Sequence, residues 1–334
     1  MKKIVQTLLM GMLISGVVLM TACAGKGQVD QTKSGSRSSV SKVPTEQEAG
    51  QPPKKEEKKV VYTTFFPVYD LAKRIIGDRM EIKMIIKGNQ EPHDFELQAS
   101  EMAGISQADL IIYNGAGMES FIPDLQEVAQ DEDKFLDLSQ GLTLLDSTSD
   151  DGVAKEGEHL AINPHTWLSI KNALVELDTI YQKMITVDPE YADSYKKNLD
   201  TATAEFQALE SRFAEELAKL DQERKYFVVS HAAFNYLAND YGLKQVAVTG
   251  ISPEDEPSAQ QLKKIADFVQ QHQIKTIFFE GKATPKVAQT LADNTGTKTD
   301  TIYTMENLTE EEIGWGYLKL MEKNLEALLR SFNE

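Results

Sequence analysis

Four residues lying far apart in the chain have the side chains to hold a metal ion between them. His93 lies in Gly88-Asn89-Gln90-Glu91-Pro92-His93-Asp94, and His165 in Asn163-Pro164-His165-Thr166-Trp167-Leu168. His231 follows Phe227-Val228-Val229-Ser230, and Glu306 sits in Met305-Glu306-Asn307-Leu308. Neutral imidazole and carboxylate are zinc donors. The chain has a single cysteine, Cys23, which excludes a thiolate-rich site and any internal disulfide. No two of these donors form a local pair such as His-x-x-x-His, and each histidine taken singly reads as an ordinary hydrogen-bonded or solvated residue. The signal is that three of the five histidines fall at equivalent places in the pattern of elements. Glu280, after Ile277-Phe278-Phe279, is a further carboxylate of this kind; it is expected to orient a histidine ring, with the fourth ligand position as the alternative. His272, in Gln270-Gln271-His272-Gln273, reads as a solvated residue near the end of a polar helix, and His159, in Glu156-Gly157-Glu158-His159, as an exposed loop residue able to catch metal in passing.

The elements that must position these groups alternate between strand and helix. Runs at 60–64, 81–86, 110–113 and 135–138 are β-rich and are separated by helical patterns; the first helix spans 66–76, with Pro67 in its first turn and Gly77 as its stop. The alternation resumes with strands at 226–230, 245–248, 276–279 and 298–303. It predicts βαβ units, hence two doubly wound α/β lobes with parallel sheets. In such sheets ligands bind beyond the carboxyl ends of the strands, where His93, His231, Glu280 and Glu306 all fall. His165 stands just before a helix, giving two donors from each half and a closed four-ligand site between the lobes. From Asp188, read as an N-cap, to Leu220, apolar residues from Tyr191 to Leu220 recur every three or four positions, which is one helical face. A helix of that length is a rod of about 50 Å, a stiff connection between lobes.

The segments Glu91-Pro92-His93-Asp94, Asn163-Pro164-His165-Thr166-Trp167-Leu168 and Ser230-His231-Ala232-Ala233-Phe234-Asn235-Tyr236-Leu237 closely resemble the ligand motifs of the zinc/manganese solute-binding lipoproteins of bacterial ABC importers. Met305-Glu306-Asn307-Leu308-Thr309 resembles the late acidic motif of the zinc-binding branch, and the likeness extends over residues 60–332. It implies two lobes joined by a long helix, one metal ion between them held by His93, His165, His231 and Glu306, and delivery to a membrane permease driven by a separate ATPase. Two departures stand out. The long His-rich loop of many zinc members is reduced to residues 156–159, and Asn163 and Ile170 stand where the family often has Asp and Pro. The manganese branch usually has a carboxylate at the position of His231, and imidazole suits Zn²⁺ better than Mn²⁺. Zn²⁺ is therefore the expected cargo, one ion per chain, with manganese or another divalent transition metal as the alternative.

The beginning of the chain reads as an address. Lys2 and Lys3 precede an apolar run of about 17 residues, short for a spanning helix and typical of a secretory signal. Leu19-Met20-Thr21-Ala22-Cys23 resembles a lipobox, which implies cleavage before Cys23 and acylation of its thiol and new amino group. The expected division is a signal peptide over 1–22, a lipid-anchored disordered tether over 23–59, an N-terminal lobe over 60–187, a linking helix over 188–222 and a C-terminal lobe over 223–334. The tether is rich in Ser, Gly, Gln, Lys, Glu and Pro, and as a coil its ~36 residues span roughly 30 Å. The protein is thus expected as a monomer anchored on the outer face of the cell membrane. Of 334 residues, 52 are acidic and 35 basic, a net charge of −17 that speaks against a nucleic-acid partner. Other classes fit less well. An extracellular zinc hydrolase needs an open water position and a general base, and His-Glu-x-x-His is missing; a surface adhesin explains none of the histidine placement. No enzymatic activity is expected.

Overall fold

All eight β-rich runs become strands, and every neighbouring pair is parallel. The computed structural model describes residues 58–147, 162–221, 225–280 and 286–333. The first half contains β1 (Val60–Thr63), α1 (Phe66–Ile76), β2 (Glu81–Met84), α2 (Ala99–Ile105), β3 (Leu110–Tyr113), α3 (Ile122–Ala129) and β4 (Phe135–Asp137). Two helices follow, α4 (Ile170–Val187) and α5 (Ala192–Ala218). The second half contains β5 (Tyr226–Val229), α6 (Asn235–Tyr241), β6 (Lys244–Ala247), α7 (Ala259–Gln271), β7 (Thr276–Glu280), α8 (Lys286–Thr295), β8 (Lys298–Ile302) and α9 (Glu310–Phe332). The sheets are ordered β2-β1-β3-β4 and β6-β5-β7-β8, so the two lobes repeat one topology. In each, the chain moves outward to one side of its first strand and then crosses to the other. That reversal, between β1 and β3 and again between β5 and β7, opens the crevice in which doubly wound sheets bind ligands.

The linking helix is shorter than its apolar stripe. Pro189–Tyr191 forms a 3-10 turn, and α5 has 27 residues, a rod of about 40 Å. The reason lies in Asp188. Its carboxylate does not cap a helix but accepts hydrogen bonds from Arg79 Nε (2.9 Å) and Tyr195 Oη (2.7 Å), and Arg79 lies over the Tyr191 ring. That cluster holds the first turn in a tighter conformation than the sequence alone suggests. Six of the eight strands end one or two residues earlier than their runs, because the residues beyond turn away to build the crevice, while β3 ends at Tyr113 as expected and β7 runs one residue further, to Glu280. Lys58 and Lys59, read as the end of the tether, hydrogen-bond to the carbonyls of Asp78 and Val187. Among the described residues no helix is long and apolar enough to cross a membrane; the apolar run at 4–20, Cys23 and His159 lie outside them.

Helix α5 presents Tyr195, Leu199, Ala202, Phe206, Leu209, Phe213 and Leu217 to the interior, as its periodicity requires. These side chains join one continuous core containing β1, β3, α1, α4 and α9 together with Phe227, Phe234 and Phe278 of the second lobe. Phe206 stacks on Tyr317, with ring centroids 5.1 Å apart, and the Tyr317 hydroxyl donates to the Trp167 carbonyl at 2.6 Å. Tyr317 follows Gly316, whose φ of 79° interrupts α9 and lets the ring turn inward. A second, smaller core lies under the far side of the second sheet, around Val228, Ile265, Val269 and Ile277. Because the principal core crosses from lobe to lobe, Phe206→Ala should cost about 3–5 kcal/mol in urea unfolding of the metal-free protein, with α5 and both lobes lost in one transition. Two separate transitions would show that the lobes do not share this core.

Candidate metal centre

His93, His165, His231 and Glu306 converge. One donor atom from each lies within 4.8 Å of all the others. His165 Nε2 is 3.2 Å from His93 Nε2 and 3.1 Å from His231 Nε2. Glu306 Oε1 is 2.9 Å from His93 Nε2 and 3.1 Å from His165 Nε2, and Glu306 Oε2 is 3.4 Å from His231 Nε2. A tetrahedron of ~2.0–2.1 Å metal–donor bonds has edges of roughly 3.3–3.4 Å, close to these separations. Despite its two near neighbours, Glu306 Oε1 is buried with no hydrogen-bond partner among the described residues. A buried carboxylate oxygen without a hydrogen-bond partner, set among three ring nitrogens, is the arrangement a cation completes.

Each donor is held by a different element end. His93 is carried on the loop after β2. This loop lies against the Glu306 segment so closely that a Cβ at Gly88 would stand 2.6 Å from the Ile313 side chain and 2.8 Å from the Leu308 carbonyl. His231 follows β5, and its Nδ1 pairs with the Glu280 carboxylate at the end of β7, which also accepts the His231 backbone N–H at 3.1 Å. Glu280 thus stands behind a histidine ring, outside the four-atom cluster. Glu306 comes after β8 and next to Met305, whose φ of 68° is left-handed although the residue is not glycine. Such a conformation costs on the order of 1–3 kcal/mol and persists only where the surroundings impose it; here it turns the Glu306 carboxylate into the cleft.

His165 is the most elaborately fixed. Its Nδ1 pairs with Asn163 Oδ1 at 2.8 Å, leaving Nε2 toward the cluster. Asn114, after β3, brackets it by donating to the Pro164 carbonyl (2.9 Å) and accepting from the Thr166 hydroxyl (2.9 Å). Asn114 is held in turn by Glu119, a buried carboxylate that accepts from Thr64 Oγ1 (2.6 Å) and from the backbone N–H groups of Asn114 (2.8 Å) and Gly115 (3.0 Å). Burial pushes the Glu119 carboxyl up to about 7. Neither Asn114 nor Glu119 was legible in the sequence, since a buried amide or acid has no spacing signature. Glu91, in the His93 loop, shares with Glu280 and Glu306 the lining of a small cavity beside the cluster. His272 stands apart and exposed, but its ring stacks on Phe268 with centroids 4.1 Å apart, a contact that the polar sequence around it gave no reason to expect.

The electrostatics follow from burial and crowding. Burial holds the His165 imidazole down to about 4. Burial opposes protonation of His231 as well, yet Glu280 and Glu306 beside it raise it well above the ordinary imidazole value. Burial alone would push the Glu306 carboxyl up, but His165 and His231 hold it well below the usual carboxylate range. Without a cation, the cluster is relieved by protons.

The family described as zinc-uptake complex component A, periplasmic, matches residues 61–331. The chain belongs to this family. It is 37% identical over 282 residues to the high-affinity zinc uptake system protein ZnuA of Bacillus subtilis, a match covering 82% of this chain and 88% of that protein. It is 36% identical over 281 residues to the zinc-binding lipoprotein AdcA of Streptococcus pneumoniae, which covers 82% of this chain but only 56% of AdcA, so the chain spans about half of that longer relative. The crystal structure of the Zn(II)-bound ZnuA-like domain of that AdcA superposes with a TM-score of 0.71 at 35% identity, covering 83% of this chain and all of the domain. Membership of a family of uptake components excludes the hydrolase alternative and places the chain among transport binding proteins rather than enzymes.

Because Glu280 is the leading charge behind His231, Glu280→Gln should lower the His231 imidazole of the metal-free protein toward its ordinary value. An NMR titration of ring nitrogen shifts reads this directly; an unmoved midpoint would show that Glu280 does not set the charge of that ring.

Proposed function

We propose that the protein captures one Zn²⁺ outside the cell membrane, with His93, His165, His231 and Glu306 as its ligands, and delivers it to an ABC permease driven by a separate ATPase. The observation that carries this reading is the set of three imidazole nitrogens and one carboxylate oxygen that lie within 4.8 Å of one another, with His165 Nε2 about 3 Å from each of the other three residues' donors. Three nitrogens and a single oxygen suit borderline Zn²⁺ better than Mn²⁺, which prefers harder and more numerous oxygen donors. Three neutral imidazoles and one carboxylate leave the zinc site at net +1, and Glu280 behind His231 offsets that charge without occupying a coordination position. The relatives' names and the zinc-bound homologous domain support the same choice.

The shared core and the rod leave room for small shifts of a lobe or of the ligand loops and oppose wide opening. On this reading zinc draws donors from both lobes together, and the closed form docks on the permease. Acylated Cys23 and the tether over 23–59 hold the monomer at the outer face of the membrane, with lobes over 60–187 and 223–334 on either side of the linking helix over 188–222. At least two acyl chains give the stable anchoring that one chain does not.

Two results test this. Isothermal titration should give one tight zinc equivalent, with His231→Ala weakening it at least about 100-fold and His272→Ala leaving it unchanged; equal effects of the two substitutions would overturn the assignment. Ligand imidazoles must be neutral, and Glu280 and Glu306 favour the protonated form of His231 in the metal-free protein, so zinc uptake at neutral pH should expel protons and weaken as the pH falls. Calorimetry in buffers of different ionisation enthalpy measures the released protons; an enthalpy independent of buffer would contradict this ligand set.

A further inference from the structure

Asn163 is fully buried, and each of its four polar groups has a partner. Its side-chain oxygen accepts from the backbone N–H and pairs with the ring Nδ1 of His165, at 3.0 and 2.8 Å. Its side-chain nitrogen donates at 2.6 Å to the carbonyl of Ala232, the residue after His231 in the opposite lobe. Its backbone N–H donates to the Leu145 carbonyl at 2.8 Å, and its own carbonyl accepts the Tyr236 hydroxyl at 2.7 Å. That hydroxyl in turn accepts the Leu145 N–H at 3.1 Å. One amide therefore orients the His165 ring and fastens it to the turn that carries His231. The task needs one acceptor and one donor on the same group, which the amide supplies and an ionised carboxylate cannot, having no donor to offer.

We propose that Asn163 and Tyr236 form a latch between the lobes that sets how slowly the centre releases zinc. This rests on the zinc-binding reading above and goes beyond the ligands themselves. Separating His165 from His231 requires breaking the bond from Asn163 to Ala232 and the bond from Tyr236 to Asn163, both of them buried, so the latch resists the same displacement that frees the ion. Both residues are positioning residues, since neither contributes an atom to the donor cluster.

Asn163→Asp separates the latch from simple electrostatics. The new carboxylate keeps the acceptor for His165 and adds negative charge behind that ring, which by itself makes the imidazole a stronger donor and slows release. It also removes the donor to Ala232 and sets two acceptor oxygens against each other, which speeds release if the latch matters. Zinc leaving the loaded full-length protein into excess chelator is followed by stopped flow at about pH 8, where the new carboxyl is ionised. Release should be about tenfold faster in Asn163→Asp and about fivefold faster in Tyr236→Phe, which leaves both contacts of Asn163 with His165 intact. The His165 Nδ1–H resonance should persist in metal-free Asn163→Asp, distinguishing a lost latch from a misplaced ring. Release from Asn163→Asp no faster than from the wild type overturns the proposal; if that variant does not fold, an unaltered rate in Tyr236→Phe does so instead. Wild-type protein that takes up no zinc would overturn both the function and the latch, whereas normal uptake with unaltered release overturns the latch alone.

Discussion

Imidazole lone pairs and a carboxylate oxygen do not gather about one point of their own accord. Brought within about 3 Å of each other and out of water, they repel unless protons or a cation intervene. In this protein His165, His231 and Glu306 are almost wholly buried, and His93 is nearly so. The remaining architecture can be understood as what enforces that convergence. Two lobes of identical topology turn their strand ends toward each other, and a core common to both keeps them in register.

The enforcement is specific at each donor. Glu280 holds the ring of His231 and Asn163 that of His165, which fixes the tautomers so that Nε2 faces the centre. Met305 accepts an unfavourable backbone conformation to aim Glu306. Gly88 permits the His93 loop to lie against the Glu306 segment at a distance no side chain would allow. Glu119 and Asn114 transmit the position of the first sheet to His165. Structural conflict of this kind, a strained residue beside a crowded set of donors, is offset by the core packing that surrounds it.

Much of this was legible in the sequence. Alternating β-rich and helical runs gave all eight strands to within a residue or two, because strand period and turn residues are local properties. The topological rule that ligands bind beyond the carboxyl ends of strands marked His93, His231 and Glu306 as candidates, and the family motifs pointed to the same three together with His165. What remained hidden depends on partners distant in sequence. Nothing near Asp188 shows that Arg79 and Tyr195 will claim its carboxylate and shorten the rod. Nothing near Asn163 shows that its amide will reach Ala232. Glu280 and Glu306 are both carboxylates at strand ends, and the fold brings Glu306 against the ring nitrogens and Glu280 behind the ring of His231.

Anomalous diffraction at the zinc edge from crystals of the zinc-loaded protein tests the central claim most directly. One peak is expected between the lobes, bonded at about 2.0–2.2 Å to Nε2 of His93, His165 and His231 and to the Glu306 carboxylate. A peak elsewhere, or an ion between the lobes that takes Glu280 or water in place of Glu306, would contradict it.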